Sequence, residues 1–375
     1  MIALLIFIAL TYNIIIIAFI IGIDAIEIFT EIKKPKNKFS IVIPFRNERE
    51  NLPDLLKSIA TINYPKNLFE ILLIDDYSKD NSVKIIETFT SKNTDFNISI
   101  LKNKNTFGSP KKNALKLAIK KSKFDWIITT DADCLVPKNW LQSFNSFIET
   151  HHPIFIAAPV KYEAENSFLN SFQQLNFTSL IGSTIGSFGL KKPIFCNGAN
   201  LCYLKSSFIE VNGFNGNNKI ASGDDVFLLE KMTEKYPKKV KYLNSTAVIV
   251  TTKPEKTWNN FINQQLRWAG KSGSYTNNFT KFVGILVFLE NLILIGLFFT
   301  SFFSFTALIT LGVIYSSKLV FDSILISKTE KNLNIKSNYF QYLISGMIYP
   351  FFSVIIALTS LLFKGFTWKG RNFKK

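Results

Sequence analysis

The chain has 375 residues, long enough for one large catalytic domain with further elements, and its 47% apolar residues are concentrated at the two ends. Its net charge of +17 comes almost wholly from lysine, since Arg46, Arg49, Arg267 and Arg371 are the only arginines. With the lysines scattered and no arginine-rich patch or RNA-binding motif, nucleic acid is excluded as a partner, and without a CxxC pair Cys134, Cys196 and Cys202 exclude a disulfide framework and a structural zinc site.

Residues 1–23 form an apolar run broken only by Thr11, Tyr12 and Asn13, long enough to cross a bilayer. The run has no basic start and no small-residue cleavage site, so it reads as an N-terminal transmembrane anchor and not as a cleaved signal. Lys33, Lys34, Lys36 and Lys38 follow it, with Pro35 breaking any helix, and lysines beside a span mark the cytosolic side. An integral protein of the cell (inner) membrane with a cytoplasmic catalytic domain is expected.

From Phe39 the pattern changes to short apolar strands alternating with amphipathic helices. Phe39 to Pro44 reads as a strand, followed by a helix through Leu52, Leu55, Leu56 and Ile59. Phe69 to Ile74 is a second strand, ending at Asp75-Asp76, and a helix capped by Asp80 comes next. Ile98 to Leu101 is strand-like, Lys111 to Lys120 helical, and Asp125 to Thr130 a strand that ends at Asp131. Such alternation predicts a mostly parallel sheet covered on both faces. Ligands of open α/β sheets bind beyond the carboxyl ends of the strands, where both acidic clusters fall. The domain is expected over residues 39–278.

Residues 282–326 are almost continuously apolar apart from Glu290, Asn291 and Lys318, and read as two helices turning near Ser301 to Ser304. A third apolar stretch covers 341–363 with Pro350 in its middle, giving a C-terminal membrane region over 282–363. A glutamate such as Glu290 is costly there unless it faces other helices or a cavity. The tail, 364–375, carries Lys364, Lys369, Arg371, Lys374 and Lys375; its charge favours the inside, whereas four spans would return it to the outside.

The acidic clusters carry the chemistry. In Asp131-Ala132-Asp133 two carboxylates one residue apart point to the same side of an extended backbone, and like charges held together call for a cation, with oxygen ligands suiting Mg2+ or Mn2+. Taken alone, the triplet is also an ordinary solvated turn. Asp75 and Asp76 can accept hydrogen bonds from a base or ribose, and the string Ile43-Pro44-Phe45-Arg46-Asn47-Glu48 leaves a first strand where it can wrap a base. Lys111 can meet a phosphate or sit as an exposed helical lysine. Asp225, after Gly223-Asp224 at the start of a helix, can remove a proton from a hydroxyl or serve as a cap. Arg267 offers donors to a departing diphosphate, and Trp268 a stacking face one turn from Gln264, unless this helix stripe is simply packing.

Taken in order, Pro44 to Glu48, Asp75 to Asp80, Lys111 to Leu115, Asp131 to Asp133, Asp224-Asp225 and Gln264 to Trp268 resemble the motif series of the family 2 glycosyltransferases of GT-A fold. The resemblance runs from about Ser40 to Trp268 and is greatest to the membrane-bound branch that contains ceramide glucosyltransferase and cellulose synthase-like enzymes. It implies a Rossmann-like GT-A domain flanked by transmembrane helices. Pro44, Arg46, Glu48, Asp75, Asp76, Lys111 and Asp131 would then bind the nucleotide-sugar. Asp131 and Asp133 would hold the metal, and Asp225, beside Asp224, would be the base. Gln264, Arg267 and Trp268 would form the acceptor and leaving-group wall. Asp224 departs from the glutamate usual in that branch. The activity implied is inverting transfer from a nucleotide-sugar, foremost a UDP-sugar, to a lipid or lipid-linked acceptor. The alternatives are a processive polysaccharide synthase and a membrane scaffold with a degenerate transferase fold. Asn166 to Leu190, with Phe168, Leu169, Phe172, Leu175 and Phe177, is expected to rest on a lipid surface beside the acceptor, the alternative being that these side chains are core.

Overall fold

The strand Phe39–Phe45 (β1) is apolar at nearly every position because both its faces are covered, as in parallel sheets generally. The structure is a computed structural model and describes residues 2–104, 108–218, 220, 222–336, 339–362, 365–368 and 371–374. Lys364, Lys369 and Lys375 of the basic tail lie outside the described residues.

In chain order the elements are α1 (Ile2–Asp24), β1, α2 (Leu52–Ala60), β2 (Phe69–Asp75), α3 (Ser82–Lys92), β3 (Ile98–Lys102), α4 (Pro110–Lys121), β4 (Trp126–Thr129), β5 (Cys134–Leu135) and α5 (Trp140–His151). They continue with β6 (Phe155–Ala157), β7 (Val160–Tyr162), α6 (Phe168–Gly189), β8 (Leu201–Leu204), α7 (Lys205–Glu210), α8 (Asp224–Lys235), β9 (Val240–Tyr242) and β10 (Val250–Thr252). Last come α9 (Trp258–Ala269), α10 (Asn278–Thr300), α11 (Phe305–Leu333), α12 (Tyr339–Leu362), β11 (Gly365–Trp368) and β12 (Arg371–Lys374). They form two compact units: residues 27–163 with 195–253, and residues 1–26 with 164–194 and 254–375.

The first unit is built on a seven-stranded sheet of order β3-β2-β1-β4-β8-β6-β9. β8 alone runs antiparallel to its neighbours β4 and β6, and the other pairings are parallel. Every residue of β2 is buried, and each large apolar side chain so withdrawn from water contributes roughly 1.5–3 kcal/mol. A small sheet, β5-β10-β7, completes the unit. The expected cap at Asp80 is displaced: Asn81 precedes α3 without a side-chain cap bond, and Asp80 Oδ1 accepts from Ser82 N at 3.1 Å from one residue farther back.

The second unit is helical. α1, α10, α11 and the Phe340–Leu362 segment of α12 are long and apolar enough to cross a membrane, and Pro350 lies inside α12. Glu290 is fully buried among these helices. Lys318 Nζ donates to Tyr12 Oη at 2.7 Å and pairs with Asp322 one turn on. α6 packs against α1, α11 and α12. Phe172, Leu175 and Phe177 are buried, with Phe168 and Leu169 half-buried. This corrects the expectation of a lipid-surface element: Asn170, Gln173, Asn176, Thr178, Thr184 and Ser187 of α6 are buried too, so neighbouring helices cover its polar and apolar sides alike. α1 and α6 meet backbone to backbone; a Cβ added to Gly22 would stand 2.1 Å from the Gly186 carbonyl oxygen.

Candidate active site

Three strand ends of the sheet unit carry the acids. β1 and β2 run in register to Phe45 and Asp75, and Asp76 N donates to Phe45 O at 2.9 Å. Arg46 Nη1 donates to Asp76 O at 2.7 Å and to Tyr77 O at 3.0 Å. Arg46 therefore holds the turn after β2, in which Tyr77 takes a positive φ of 60°. Asp75 Oδ1 accepts from Ser78 N at 2.8 Å, and Asp76 Oδ1 from Asn103 Nδ2 at 2.9 Å. Glu48 N donates to Ser82 Oγ at 2.8 Å, while Asn51 Nδ2 donates to Glu48 Oε2 at 2.7 Å. Pro44, Arg46, Glu48, Asp75 and Asp76 are thus brought to one edge of the sheet, with all but half-exposed Pro44 buried. Asn103 was not singled out from the sequence; its place just beyond β3, a third parallel strand, was the available signal.

β4 lies beside β1, and Asp131-Ala132-Asp133 follows it. Lys111, in the first turn of α4, sets its ammonium 2.7 Å from Asp131 Oδ1 and 3.6 Å from Asp224 Oδ2. The α4 start is fixed by Pro110 and by Ser109, whose side chain accepts from Lys112 N. Burial works against the Lys111 charge, but Asp131 and Asp224 outweigh it and hold the ammonium well above the usual lysine range. Burial, reinforced by the Asp131 charge, pushes the Asp133 carboxyl up to about 6.

Asp224 and Asp225 open α8, and the preceding Gly223 is its N-cap residue, in the left-handed region at φ 81°. Asp225 also serves the helix start, through its bond to the Val226 amide. Asp225 Oδ2 accepts from Gly198 N at 3.2 Å and its Oδ1 from Val226 N at 2.8 Å. Gly198, whose carbonyl accepts from Thr129 Oγ1 at 2.7 Å, has no room to spare: a Cβ there would lie 3.3 Å from Asp224 Oδ2. The sheet unit so assembles Lys111, Asp131, Asp224 and Asp225, residues far apart in sequence.

Gln264, Arg267 and Trp268 lie on α9 in the helical unit. Gln264 Nε2 donates to Glu255 Oε1 at 3.2 Å, and the Trp268 ring packs tilted against Phe177 at 6.2 Å. Gln173 of α6 clasps the main chain of Glu255, donating to its carbonyl and accepting from its N–H, both at 2.9 Å. The loop before α9 is thereby tied to α6.

A divalent cation fits the acids of the sheet unit. Asp131 and Asp133, one residue apart just beyond β4, offer hard oxygen ligands. Among the described residues no group of three or more His, Cys, Asp or Glu is placed to hold a metal by itself.

Glycosyl transferase family 2 matches residues 40–211, and Glycosyl transferase family group 2 matches residues 126–359, more than half of the chain. Poly(ribitol-phosphate) beta-N-acetylglucosaminyltransferase TarS of Staphylococcus aureus is 30% identical over 115 residues, which cover 31% of this chain and 19% of that protein. Undecaprenyl-phosphate 4-deoxy-4-formamido-L-arabinose transferase of Proteus mirabilis is 36% identical over 102 residues, 27% of this chain and 30% of the relative. Poly-beta-1,6-N-acetyl-D-glucosamine synthase of Staphylococcus epidermidis is 28% identical over 144 residues, 38% of this chain and 33% of the relative. The matched stretch is thus a third or less of each relative's length. Among solved structures, the mannosyltransferase PcManGT from Pyrobaculum calidifontis, in complex with GDP-Man and Mn2+, superposes with a TM-score of 0.57 over 95% of this chain and 99% of its own at 13% identity. That likeness is one of fold.

Proposed function

The chain belongs to the family 2 glycosyltransferases, and from that premise we propose that it moves a sugar, with inversion, from a nucleotide-sugar to a lipid or lipid-linked acceptor at a membrane. Its mixed sheet is the GT-A fold, shared with the mannosyltransferase. The observation that carries the proposal is the Lys111 ammonium set between Asp131 and Asp224, with Asp225 next in the chain. It supports a site for an anionic donor beside a base.

In this reading Pro44, Arg46, Glu48, Asp75 and Asp76 shape the nucleoside pocket, and Lys111 and Asp131 face the diphosphate. Asp225 takes the proton of the acceptor hydroxyl. The hydroxyl oxygen then bonds to the anomeric carbon from the face opposite the diphosphate, and the carbon–oxygen bond to the diphosphate breaks. The Gly198 and Val226 amides keep the Asp225 carboxylate oriented for that transfer. Mg2+ or Mn2+, when bound by Asp131 and Asp133, supplies charge neutralisation for the departing diphosphate. Gln264, Arg267 and Trp268 keep, as a proposal, the acceptor and leaving-group role that their motif implies.

The undecaprenyl-phosphate relative favours a lipid acceptor, and the four candidate spans favour an integral membrane protein. Lys33, Lys34, Lys36 and Lys38 after the first span favour the cytosolic side of the cell membrane for residues 39–278. The poly-N-acetylglucosamine synthase relative favours a second reading, repeated addition to a growing polysaccharide. The test is a nucleotide-sugar screen on the purified full chain with membrane lipids, following diphosphate-nucleotide release and product mass. One discrete glycolipid is expected. A ladder of products moves the reading to the synthase, and no release with any donor overturns both.

A further inference from the structure

Lys111 and Lys112 are neighbours in the first turn of α4, yet their ammonium groups serve different partners. Lys111 reaches the acids. Lys112 is 1% exposed and donates to two main-chain carbonyls, Asn217 O at 2.8 Å and Ile220 O at 3.0 Å. Its ammonium also lies 5.0 Å from the centroid of the Phe227 ring. Asn217 and Ile220 precede Asp224-Asp225 in the chain and Phe227 follows it. One buried side chain therefore holds the backbone ahead of the acid pair and meets a side-chain ring just beyond it.

Packing does not account for a charge at this position. The rest of the buried face of α4 is Pro110, Ala114, Leu115, Ala118 and Ile119, which an apolar side chain would extend without the cost of burying an ammonium. What does need donors is the stretch ahead of Gly223. Asn212-Gly213-Phe214-Asn215-Gly216-Asn217-Asn218 is turn chemistry with a single large apolar side chain, and no sheet ladder orders it. Other α4 contacts go to the same stretch: Ser109 N donates to Asn218 O at 2.9 Å and Lys116 Nζ to Asn218 Oδ1 at 2.7 Å. From α8, Lys231 Nζ adds bonds to Gly213 O and Asn215 O at 2.8 and 2.6 Å.

We propose that Lys112 is a positioning residue for sugar transfer: by holding the Asn217 and Ile220 carbonyls it sets Asp224 and Asp225 against the Lys111–Asp131 pair without itself touching substrate. The inference rests on the reading of Asp225 as the base. It also gives the adjacent lysines a division of labour, one for the diphosphate side and one for the acceptor side, joined through the rigid start of a helix.

The test uses the full chain in detergent or nanodiscs. Lys112→Met keeps the apolar stem beside Phe227 and removes the ammonium. A base displaced by about 1 Å loses about 100-fold in kcat, with donor KM staying within about threefold. Amide hydrogen exchange over residues 213–223 should quicken while β1 and β2 exchange as in wild type, and Lys112→Arg should recover part of the activity. If Lys112→Met does not accumulate folded, half-exposed Lys116→Met should show a smaller fall in kcat with the same exchange pattern. Wild-type kcat with unchanged loop exchange overturns the proposal, as does a rise in donor KM at constant kcat. The exchange measurement needs no substrate, so failure to find a donor, which sinks the functional reading, is told apart from failure of this one.

Discussion

Lys111 and Asp131 stand 2.7 Å apart, the ammonium of a helix start against the first carboxylate beyond a strand, and Asp224 lies 3.6 Å from the same nitrogen. The carboxyl groups of Asp131, Asp224 and Asp225 act on this ammonium, and Asp133 lies within reach of its charge. A diphosphate is itself an anion, and a divalent cation at Asp131 and Asp133 would offset its charge beside these acids. From this follows the first prediction. Chelation should abolish turnover and either Mg2+ or Mn2+ should restore it. Asp133→Asn should raise the metal concentration needed by about tenfold or more. Full activity in chelated buffer would remove the metal from the mechanism.

Asp225→Asn keeps the side-chain shape and can accept from only one of the two amides, Gly198 N or Val226 N, that its carboxylate engages, and it cannot take a proton. Donor affinity should stay within about threefold while kcat falls by roughly 10²–10⁴. Calorimetry or nucleotide-induced thermal shift reads the first quantity, and product release the second. An active Asp225→Asn beside a dead Asp224→Asn would place the base one residue earlier.

Glu255 gives a pH dependence. Burial raises its carboxyl above the ordinary range, with the Arg267 charge opposing. The folded protein then binds this proton more tightly than the unfolded chain does. The stability it contributes is full below the ordinary glutamate value of about 4.3 and is lost as pH rises past that value through the folded one. Glu255→Gln keeps an acceptor for Gln264 and cannot ionise. The melting-temperature difference, variant minus wild type, should grow as pH is raised from about 4. A difference that stays constant with pH contradicts the assignment.

The α1–α6 contact predicts a steep response to the smallest possible substitution. In Gly186→Ala the new Cβ would lie 2.4 Å from Phe19 O and 2.7 Å from Phe19 Cα, overpacking of a kind that costs about 1–3 kcal/mol. Gly284→Ala, with nothing within 4 Å of its Cβ, is the control, and should be neutral or slightly stabilising because it lies inside a helix. Equal melting temperatures for the two variants would mean that α1 does not approach α6 so closely.

The first half of the sheet was legible in the sequence to within a residue or two. β1, β2 and β4 are continuous apolar runs that stop at polar turns, and the acids at their ends follow from the direction of parallel strands. β6, β7, β9 and β10 have three residues each, too few to show a period, and the reversal of β8 depends on a neighbour far along the chain. Lys111 and Lys112 are the same residue type side by side, and nothing local says which ammonium is buried; the Lys112 partners lie 105 and 108 residues away. The phenylalanines of α6 misled for the same reason. An apolar side chain reads alike whether lipid or another helix covers it, and α1, α11 and α12 decide the matter from either end of the chain.

The hydrogen bond between Lys318 and Tyr12 spans 306 residues, and Tyr12 also donates to Asp322 and Asn13 to Ser317 at similar separations. A ribosome adding 5–20 residues per second needs roughly 15–60 s to cover that distance. Throughout that interval α1, apolar enough to enter a bilayer, carries a phenol and an amide whose eventual partners have not yet been made. Its polar face must meanwhile be shielded by water, lipid headgroups or the insertion machinery. The order of manufacture is therefore the reverse of the order of satisfaction, and a nascent chain released before α11 would leave α1 in the membrane with that face uncovered.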